Sequence, residues 1–385
     1  MKILFSSLGS HGHTYPLLPL ASAAHEQGHE VVYATSTDFV DTVTGLGIRH
    51  RKAGTSIRQA FTDAYGPTDP RTVSKEQLPA LAMKIFGELL PRSVHADLAP
   101  FFGEWRPDLV VHEVGNPGAG LAARAAGIPA ICHGFGRVWN GEELFRSDGP
   151  NPLAEFAGEL GVELPAEDPM LLGNPYLDVC PPSVQNKRFL SAHDTIIPLR
   201  PVPFAEPGEL PDWVREHSRP LVYLTLGTAF GDPGVLRNAI AGLATLEDAR
   251  VLVAAGPTVP VEALGEVPEH VTVLPWVPQA DLLPHTDLVV HHGGSGTTLG
   301  TFAAGVPQLI LPQGADQFSN AEAVVEHGLG AQLLEEAVTA DAVAEQARRL
   351  LSDTVVAQAA KAIAAEVAAM PSPAEVATRL PEYAR

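Results

Sequence analysis

Cysteine is nearly absent from the 385-residue chain, which contains only Cys132 and Cys180. Two cysteines are too few for a disulfide framework, and no Cys/His spacing typical of a zinc site accompanies them. The sequence also lacks a basic leader and an apolar run of transmembrane length, since Met1 leads directly into the strand-like segment Lys2 to Ser7. These absences predict a cytoplasmic protein.

Basic residues are scarce as well. Lys and Arg total 25 against 45 Asp and Glu, which gives a formal net charge of -20. A surface with this charge repels nucleic-acid phosphates and anionic membranes. We therefore expect no nucleic-acid partner and no membrane partner, while a homodimer stays open.

Aromatic residues make up 6% of a chain whose hydrophobic content is 45%. Ala, Val and Leu must therefore fill most of the interior, as they do in parallel sheets covered by helices. The chain is about twice as long as a typical domain, so two domains are expected.

Short apolar runs alternate with longer helical patterns along both halves of the chain, which predicts parallel sheets. The strands predicted in the first half are Ile3 to Ser7, Glu30 to Thr35, Ile48 to Arg51, Leu109 to Glu113 and Pro129 to Gly134. Those in the second half are Leu221 to Gly227, Arg250 to Ala255, Val271 to Trp276, Leu288 to His292 and Gln308 to Pro312. A helix is predicted from Pro16 to Gln27, with Gly28 as its C-terminal cap. The expected fold class is α/β, with two Rossmann-like doubly wound sheets.

A proline-rich stretch from Ile196 to Trp213 favours an extended connection between two domains. Ser372 and Glu375 form the pattern of a capping box, which predicts a last helix after the alanine-rich one. The resulting division is a first domain at 1–200, a linker at 201–216, a second domain at 217–367, and a helix at 368–385 that returns to the first domain.

A glycine-rich turn, Gly293 to Gly296, follows the predicted strand Leu288 to His292, and a helix begins at Thr297. Such a turn presents backbone N–H groups and a helix dipole to a pyrophosphate. An ordinary glycine-rich βα turn is the alternative. Because the turn has no lysine, a Walker-type phosphate loop is excluded.

Three segments resemble a known family in their order and spacing: Trp276 to Gln279, Val290 to Gly300 and Gly305 to Gln317. They are similar to the donor-binding signature of family 1 glycosyltransferases of the GT-B fold. The antibiotic and natural-product subgroup, of macrolide or polyketide type, is the most similar. The resemblance covers the whole chain and implies two domains that face each other across a cleft.

The resemblance also implies roles for single residues. Trp276 would stack on the base, Val277 would meet the edge of the base through its backbone, and Gln279 would lie near the ribose. Asp316 and Gln317 would bind sugar hydroxyls. A core aromatic residue and a simple helix cap are the alternatives for Trp276 and for the Asp-Gln pair. The set of residues implied for the nucleotide is completed by Thr228, His292, Gly293, Gly294, Ser295, Gly296 and Thr297.

The first half of the chain would supply the catalytic base. The segment from Ser7 to Pro16 follows the first strand, at the edge where open α/β sheets bind ligands. The resemblance places the base that deprotonates the acceptor at His13, with His11 as a close competitor. Glu113 stands where relatives carry an orienting Asp. This residue departs from the family pattern, and a solvated carboxylate is its alternative role.

These assignments imply an inverting displacement that transfers a sugar, expected to be a deoxysugar, to a small hydrophobic natural-product aglycone. No Asp-x-Asp pair stands near the phosphate turn, so neither a metal nor a cofactor is expected. Segments such as Ala60 to Leu90 and Arg137 to Met170 would bind the acceptor. Two other functions stay open: a sugar-nucleotide epimerase or hydrolase of the same fold, and a non-catalytic nucleotide-sugar-binding partner protein.

The expected donor is a dTDP-sugar, because Gly300 offers no carboxylate that would need a ribose 2′-hydroxyl as its partner. UDP-dependent relatives carry a Glu eight residues after the signature histidine, where it binds the ribose hydroxyls, and here that position is Gly300. A carboxylate left unpaired by a deoxyribose would cost about 1–3 kcal/mol, and its absence removes this penalty. The alternative is that Gly300 only permits close helix packing.

Overall fold

The computed structural model describes residues 1–66, 73–74, 76–138, 151–204, 208–228, 231–257 and 259–384. The chain divides into two compact units. The first unit comprises Met1–Val179, Asn186–Leu199 and Pro371–Arg385, and the second comprises Cys180–Gln185 and Arg200–Met370. The sequence analysis assigned residues 180–185 to the first domain, whereas in the structure they belong to the second unit.

The strands described in the first unit form one parallel sheet in the order β3-β2-β1-β4-β5-β6-β7. Their bounds are β1 (Lys2–Ser6), β2 (Glu30–Thr35), β3 (Arg49–Lys52), β4 (Leu109–Glu113), β5 (Ala130–His133), β6 (Tyr176–Asp178) and β7 (Ile196–Pro198). Ile3, Leu4 and Phe5 of β1 are fully buried. This central position explains why the chain begins with an apolar run.

The strands described in the second unit form another parallel sheet in the order β10-β9-β8-β11-β12-β13. Their bounds are β8 (Leu221–Thr225), β9 (Arg250–Ala254), β10 (Val271–Leu274), β11 (Leu288–His291), β12 (Gln308–Ile310) and β13 (Gly330–Gln332). Val222 and Leu224 pack into one apolar cluster, and Leu221 and Tyr223 pack into a second one. Each face of the sheet therefore has its own core, as a doubly wound fold requires.

Helices cover these sheets in both units. Those that precede residue 200 are α1 (His11–Thr14), α2 (Leu18–Glu26), α3 (Val40–Gly45), α4 (Ile57–Tyr65), α5 (Leu78–Lys84), α6 (Leu90–Glu104), α7 (Pro117–Ala125), α8 (Pro152–Glu159) and α9 (Lys187–Ala192). Those that follow it are α10 (Trp213–Glu216), α11 (Pro233–Leu243), α12 (Gln279–Leu282), α13 (Ser295–Ala304), α14 (Gln317–Glu326), α15 (Ala340–Ser352), α16 (Thr354–Ala369) and α17 (Pro373–Arg379). The predicted α/β class with two doubly wound parallel sheets is confirmed.

All ten predicted strands are present, with ends that differ by at most two residues. The prediction missed β6, β7 and β13, which have three residues each and are too short for a periodic pattern. β12 is equally short, but it lies within the longer run from Gln308 to Pro312 and was recognised by that run. The predicted linker at 201–216 is not a bare connection. Within its described part, α10 lies at its end, and Leu210 and Trp213 pack against the core of the second unit.

The two sheets share a topology in which the strand order reverses beside the first strand of each unit. The chain runs outward from β1 through β2 to β3 and then crosses to β4. In the second unit it runs from β8 through β9 to β10 and then crosses to β11. Ligands of open α/β sheets bind at the carboxyl ends of the strands at such a switch point. The candidate sites are therefore expected after β1 and β4, and after β8 and β11.

The last helix, α17, packs against α2 of the first unit. The Gln27 side chain donates to the Ala374 carbonyl over 2.7 Å. The predicted capping box is confirmed, since Ser372 Oγ accepts from the Glu375 backbone N–H and Glu375 accepts from the Ser372 backbone N–H. Within the described ranges, none of the helices has the length and the apolar character needed to cross a membrane.

Candidate functional site

His13 and Glu113 come together at the carboxyl edge of the first sheet. His13 lies in α1, directly after β1, and Glu113 is the last residue of the adjacent strand β4. His13 Nδ1 lies 3.0 Å from Glu113 Oε2. The carboxylate is fully buried, and 19% of the His13 side chain remains exposed. The pair thus joins a partly accessible imidazole to a carboxylate that water does not reach.

The backbone of Gly115 holds the Glu113 carboxylate. The Gly115 N–H donates a short hydrogen bond to Glu113 Oε1. A Cβ atom at Gly115 would lie 2.9 Å from Glu113 Oε1 and 3.1 Å from His13 Cε1. On another side, the ring of Phe135 contacts that of His13, with centroids 4.9 Å apart. The two functional side chains therefore occupy a site without room for a further methyl group.

One nitrogen of the His13 ring faces the Glu113 carboxylate. His13 Nδ1 and Glu113 Oε2 lie 3.0 Å apart. A proton on Nδ1 beside the carboxylate leaves Nε2 as the basic nitrogen of the ring.

His11 has different surroundings from His13, although it lies in the same short helix. Its ring packs edge-on against Tyr15, at 5.0 Å between centroids, and against Phe39, at 5.3 Å. His13 and not His11 is the histidine that lies beside Glu113. The geometry therefore favours His13 for a role that needs a carboxylate partner.

A buried hydroxyl network fixes the segment that carries His13, and sequence analysis did not find it. Tyr33 OH lies 3.1 Å from Ser7 Oγ and 3.1 Å from the Thr14 carbonyl, and Thr14 Oγ1 donates to the Leu8 carbonyl. Burial raises the pKa of Tyr33 far above its usual value, so the phenol stays neutral. A tyrosine within an apolar strand is a sequence signal for such a network, but its partners lie up to 26 residues away.

The glycine-rich turn lies after β11, and α13 begins at Ser295 within it. Gly294 is the N-cap, and no side chain caps the helix. The first N–H groups of α13 therefore keep the capacity to bind an anion. Gly293 has a φ of +91°. Its missing side chain also leaves room for the backbone, since a Cβ there would lie 2.9 Å from the Gln317 carbonyl oxygen.

The imidazole of His292 lies between two glycines. A Cβ at Gly227 would come within 2.5 Å of His292 Cε1, and a Cβ at Gly294 would come within 2.5 Å of His292 Nε2. Burial lowers the pKa of His292 to about 4, so the ring is neutral near pH 7. Thr228 follows Gly227 directly, after β8. The structure thus brings together the histidine, the glycine-rich turn and the threonine that the sequence assigned to the pyrophosphate.

Three polar residues that the sequence analysis missed support this turn. His291 Nδ1 accepts from the Gly293 N–H over 3.1 Å, and His291 Nε2 lies 2.7 Å from Gln308 Oε1. Asn320 Nδ2 contacts the Gly293 carbonyl at 2.8 Å and Asp316 Oδ2 at 3.1 Å. Burial, followed by the charge of the neighbouring His292, lowers the pKa of His291 to about 3, so it acts as a neutral structural residue.

The residues assigned to the base and the ribose lie after β10 and on α12. Trp276 is an exposed aromatic residue, with 42% of its surface accessible, whereas Val277 is buried in the core. Gln279 Oε1 accepts from Thr297 Oγ1 over 3.2 Å and from Tyr223 OH over 3.4 Å. Trp276 is therefore partly accessible to solvent, which a simple core aromatic residue would not be.

Asp316 and Gln317 make contacts within the protein that the sequence did not indicate. Ser295 Oγ donates to Asp316 Oδ2 over 2.6 Å. Gln317 is 2% exposed, and its Oε1 accepts from the backbone N–H groups of Gln313, at 2.8 Å, and Gly314, at 3.1 Å. Both residues therefore hold the loop after β12 in shape, and the oxygen of Gln317 is engaged in that role.

Comparison with known proteins identifies the family of this chain. The N-terminal domain described as erythromycin biosynthesis protein CIII-like matches residues 22–227, and the corresponding C-terminal domain matches residues 239–383. The chain belongs to the family 1 antibiotic glycosyltransferases. The elloramycin glycosyltransferase ElmGT of Streptomyces olivaceus is 35% identical over 99% of this chain and 97% of its own length.

Solved structures of glycosyltransferases have the same fold. The glycosyltransferase SnogD from Streptomyces nogalater superposes with a TM-score of 0.76 at 29% identity, covering 100% of this chain and 99% of its own. The glycosyltransferase VinC, solved in complex with dTDP, gives a TM-score of 0.79 at 30% identity, with the same coverage of both chains. The GT-B fold expected from the sequence is thus confirmed.

Gly300 of this glycosyltransferase is buried within α13. A Cβ at this position would lie 2.9 Å from Leu283 Cδ1 and 3.4 Å from Pro203 Cγ. Gln279 Nε2 is the next atom, at 3.9 Å. Close packing therefore accounts for a glycine here. A glutamate cannot be introduced at position 300 without displacing Leu283, so this substitution is not a clean test of ribose recognition.

Parts of the stretches expected to bind the acceptor, 67–72, 75 and 139–150, lie outside the described residues. Among the residues that are described, no group of three or more His, Cys, Asp or Glu side chains is arranged to hold a metal ion.

Proposed function

We propose that this glycosyltransferase moves a sugar from a dTDP-sugar to a hydrophobic natural-product aglycone with inversion, and that His13 is the general base. The 3.0 Å contact between His13 and the buried Glu113 carboxylate carries this proposal. An imidazole that is partly exposed on one side and held by a carboxylate on the other is suited to take a proton from a substrate. The relationship to antibiotic glycosyltransferases supports the choice of substrates.

The proposed reaction is a single displacement. The acceptor oxygen forms a bond to the anomeric carbon while its proton moves to His13 Nε2, and the bond from that carbon to the diphosphate oxygen breaks. Glu113 stabilises the imidazolium that forms. Because the nucleophile attacks opposite the leaving diphosphate, the configuration at the anomeric carbon inverts.

The second unit would bind the donor. The ring of the partly accessible Trp276 would stack on the thymine, and the Gly293 to Gly296 turn with the uncapped N-terminus of α13 would bind the diphosphate. Backbone dipoles and the neutral His292 would thus stabilise the negative charge that develops on the leaving group. In this proposal Asp316 and Gln317 orient the sugar as part of the loop that they hold.

The decisive experiment incubates the protein with a dTDP-sugar and a panel of hydrophobic aglycones. We expect release of dTDP that depends on the aglycone, together with a glycoside whose anomeric configuration by NMR is opposite to that of the donor. Release without an acceptor would indicate a hydrolase, and a changed sugar stereocentre on recovered donor would indicate an epimerase. Binding of the donor without turnover of any aglycone would indicate a nucleotide-sugar-binding partner protein.

The donor nucleotide is expected to be dTDP rather than UDP. With Gly300 packed against Leu283, this position carries no carboxylate that would require a ribose 2′-hydroxyl as its partner. The measurement compares kcat/KM for one sugar carried on dTDP and on UDP, with the protein unchanged. A higher kcat/KM for the UDP-sugar would contradict the expectation. The unchanged protein is preferable because Gly300→Glu would disturb the packing of α13.

Activity is expected to survive removal of divalent ions. We propose that the α13 N-terminus and the turn before it bind the diphosphate without a metal, since neutral backbone donors there replace the usual positive charge. Addition of EDTA to the assay should leave kcat/KM unchanged. Loss of activity in EDTA, followed by recovery with magnesium, would show that this proposal is wrong.

Substitution of Gly115 tests the positioning of the catalytic pair. Gly115→Ala places a methyl group 2.9 Å from Glu113 Oε1 and 3.1 Å from His13 Cε1, so one of them must move. We expect kcat to fall by up to about 10²-fold, because a displacement near 1 Å has effects of that size. The dissociation constant of dTDP should not change.

Gly158→Ala is the matched control, since a Cβ at Gly158 in α8 meets no atom within 4 Å. Its kcat should equal that of the wild type. An unaltered kcat in Gly115→Ala would mean that the close contact at Gly115 has no part in catalysis.

A further inference from the structure

Gln313 carries a side-chain amide whose nitrogen has no hydrogen-bond partner among the residues that the structure describes. The residue lies in the loop after β12, three residues before Asp316. Its Nε2 is shielded from solvent and meets no acceptor in the described part of the chain, although the residue as a whole is only partly buried. Buried donors are paired in the great majority of proteins, because an unpaired one loses its hydrogen bonds to water without replacement. This exception suggests a role other than stability.

The orientation of the Gln313 amide is fixed. Gln313 Oε1 accepts from the backbone N–H of Asp232 over 2.8 Å. Because a backbone N–H can only donate, the oxygen must occupy this position, and the amide cannot be turned to exchange its two ends. The NH2 group is therefore held in one direction, with its hydrogens available to an acceptor.

The backbone of the loop is fixed too. The Gln313 N–H donates to Gln317 Oε1 over 2.8 Å. Ala315, two residues on, has a φ of +54°, which is unfavourable for a residue with a Cβ. Strain of this kind persists where surrounding contacts enforce it, and it is concentrated at ligand sites. The loop thus presents the amide in a single, prepared conformation.

The hydrogen bond between Gln313 and Asp232 bridges the two loops on either side of the diphosphate turn. Asp232 is the N-cap of α11, in the connection that follows β8 and Thr228. β11, which leads into His292 and the turn, lies between β8 and β12 in the sheet. The amide therefore lies at the same edge of the sheet as the residues proposed to bind the donor.

We propose that Gln313 is a further donor-binding residue, whose Nε2 donates a hydrogen bond to an oxygen of the bound nucleotide-diphosphate sugar. This inference rests on the proposed function of the second unit. Two kinds of oxygen share the required chemistry, a diphosphate oxygen and a sugar hydroxyl. Through this bond Nε2 gains the acceptor that it lacks in the free protein. The bond forms only when the nucleotide-diphosphate sugar is bound.

The test is Gln313→Glu, which keeps an oxygen for the Asp232 N–H and replaces the NH2 donor by a second acceptor. Binding of dTDP and of a dTDP-sugar is measured by calorimetry. If the partner is a diphosphate oxygen, we expect dTDP and the dTDP-sugar both to bind at least about tenfold more weakly, since a lost hydrogen bond to a buried group has effects of this size. A sugar hydroxyl could instead donate to the new carboxylate. If the partner is such a hydroxyl, Gln313→Met, which cannot accept that hydrogen bond, weakens the dTDP-sugar, and dTDP binds as in the wild type.

Gln358→Glu is the matched control, because it makes the same change on the exposed side of α16 and should bind both ligands as the wild type does. Gln313→Met removes the NH2 donor without adding charge, and it is measured beside Gln313→Glu. Unaltered binding of both ligands by folded Gln313→Met would overturn the inference while the proposed function stands. A wild-type protein that binds neither ligand would overturn both.

Discussion

His13→Ala is expected to lower kcat by about 10²–10⁴-fold, the usual contribution of a general base. The dissociation constant of dTDP should change little, because the residues proposed to bind the nucleotide belong to the second unit. Steady-state kinetics with a hydroxyl acceptor and calorimetry with dTDP make the two measurements. An unchanged kcat would remove His13 from the mechanism.

Two comparisons separate a base from a structural residue. Acceptors that are already ionised at the assay pH need no proton removal, so His13→Ala should slow their glycosylation much less. His11→Ala is the matched control in the same helix, where the ring packs on Tyr15 and Phe39. It should change kcat by the same factor for neutral and for ionised acceptors.

Glu113→Gln should lower kcat less than His13→Ala does, since it weakens the orienting group and leaves the base.

Asn320→Asp is expected to destabilise the second unit and to impair donor binding together. The substitution keeps the size of the side chain, but it replaces the donating NH2 by an oxygen 2.8 Å from the Gly293 carbonyl and near the Asp316 carboxylate. A buried charge without a partner costs about 3–5 kcal/mol. Thermal unfolding should show a large decrease in Tm, and calorimetry should show weaker binding of dTDP.

Asn151→Asp serves as the control for this substitution. Asn151 caps α8 through its side-chain oxygen, and aspartate caps a helix equally well. Its Tm should therefore stay close to that of the wild type. If Asn320→Asp matched the control in both Tm and dTDP binding, Asn320 would not be what holds the Gly293 turn.

Sequence patterns located the positions of the candidate sites because these depend on strand ends. Once β1, β4, β8 and β11 are recognised as apolar runs, the residues that follow them must lie at the carboxyl edges of the sheets. The position of Glu113 at the end of β4 was predictable for this reason, and so was that of the turn after β11. Neither needs any information about distant contacts.

The contacts that hold these residues in place were not predictable in the same way. Asn320 reaches Gly293 across 27 positions of the chain, and Tyr33 reaches Ser7 across 26. No local periodicity encodes such pairs. Gln317 shows the same limit, because its oxygen is engaged by the backbone of Gln313 and Gly314. The sequence indicates a polar side chain near the proposed sugar site but not which of its atoms the protein itself uses.

The return of α17 to the first unit determines how parts of this protein can be exchanged with those of relatives. A chimera joined at a single point near residue 200 would combine α2 of one protein with α17 of another. The two helices that pack against each other would then come from different sequences. Junctions after Leu199 and before Pro371 would move the second unit as an insert and keep Gln27 with its own Ala374. Residues 180–185 would still derive from the first parent, so they should be exchanged together with the insert.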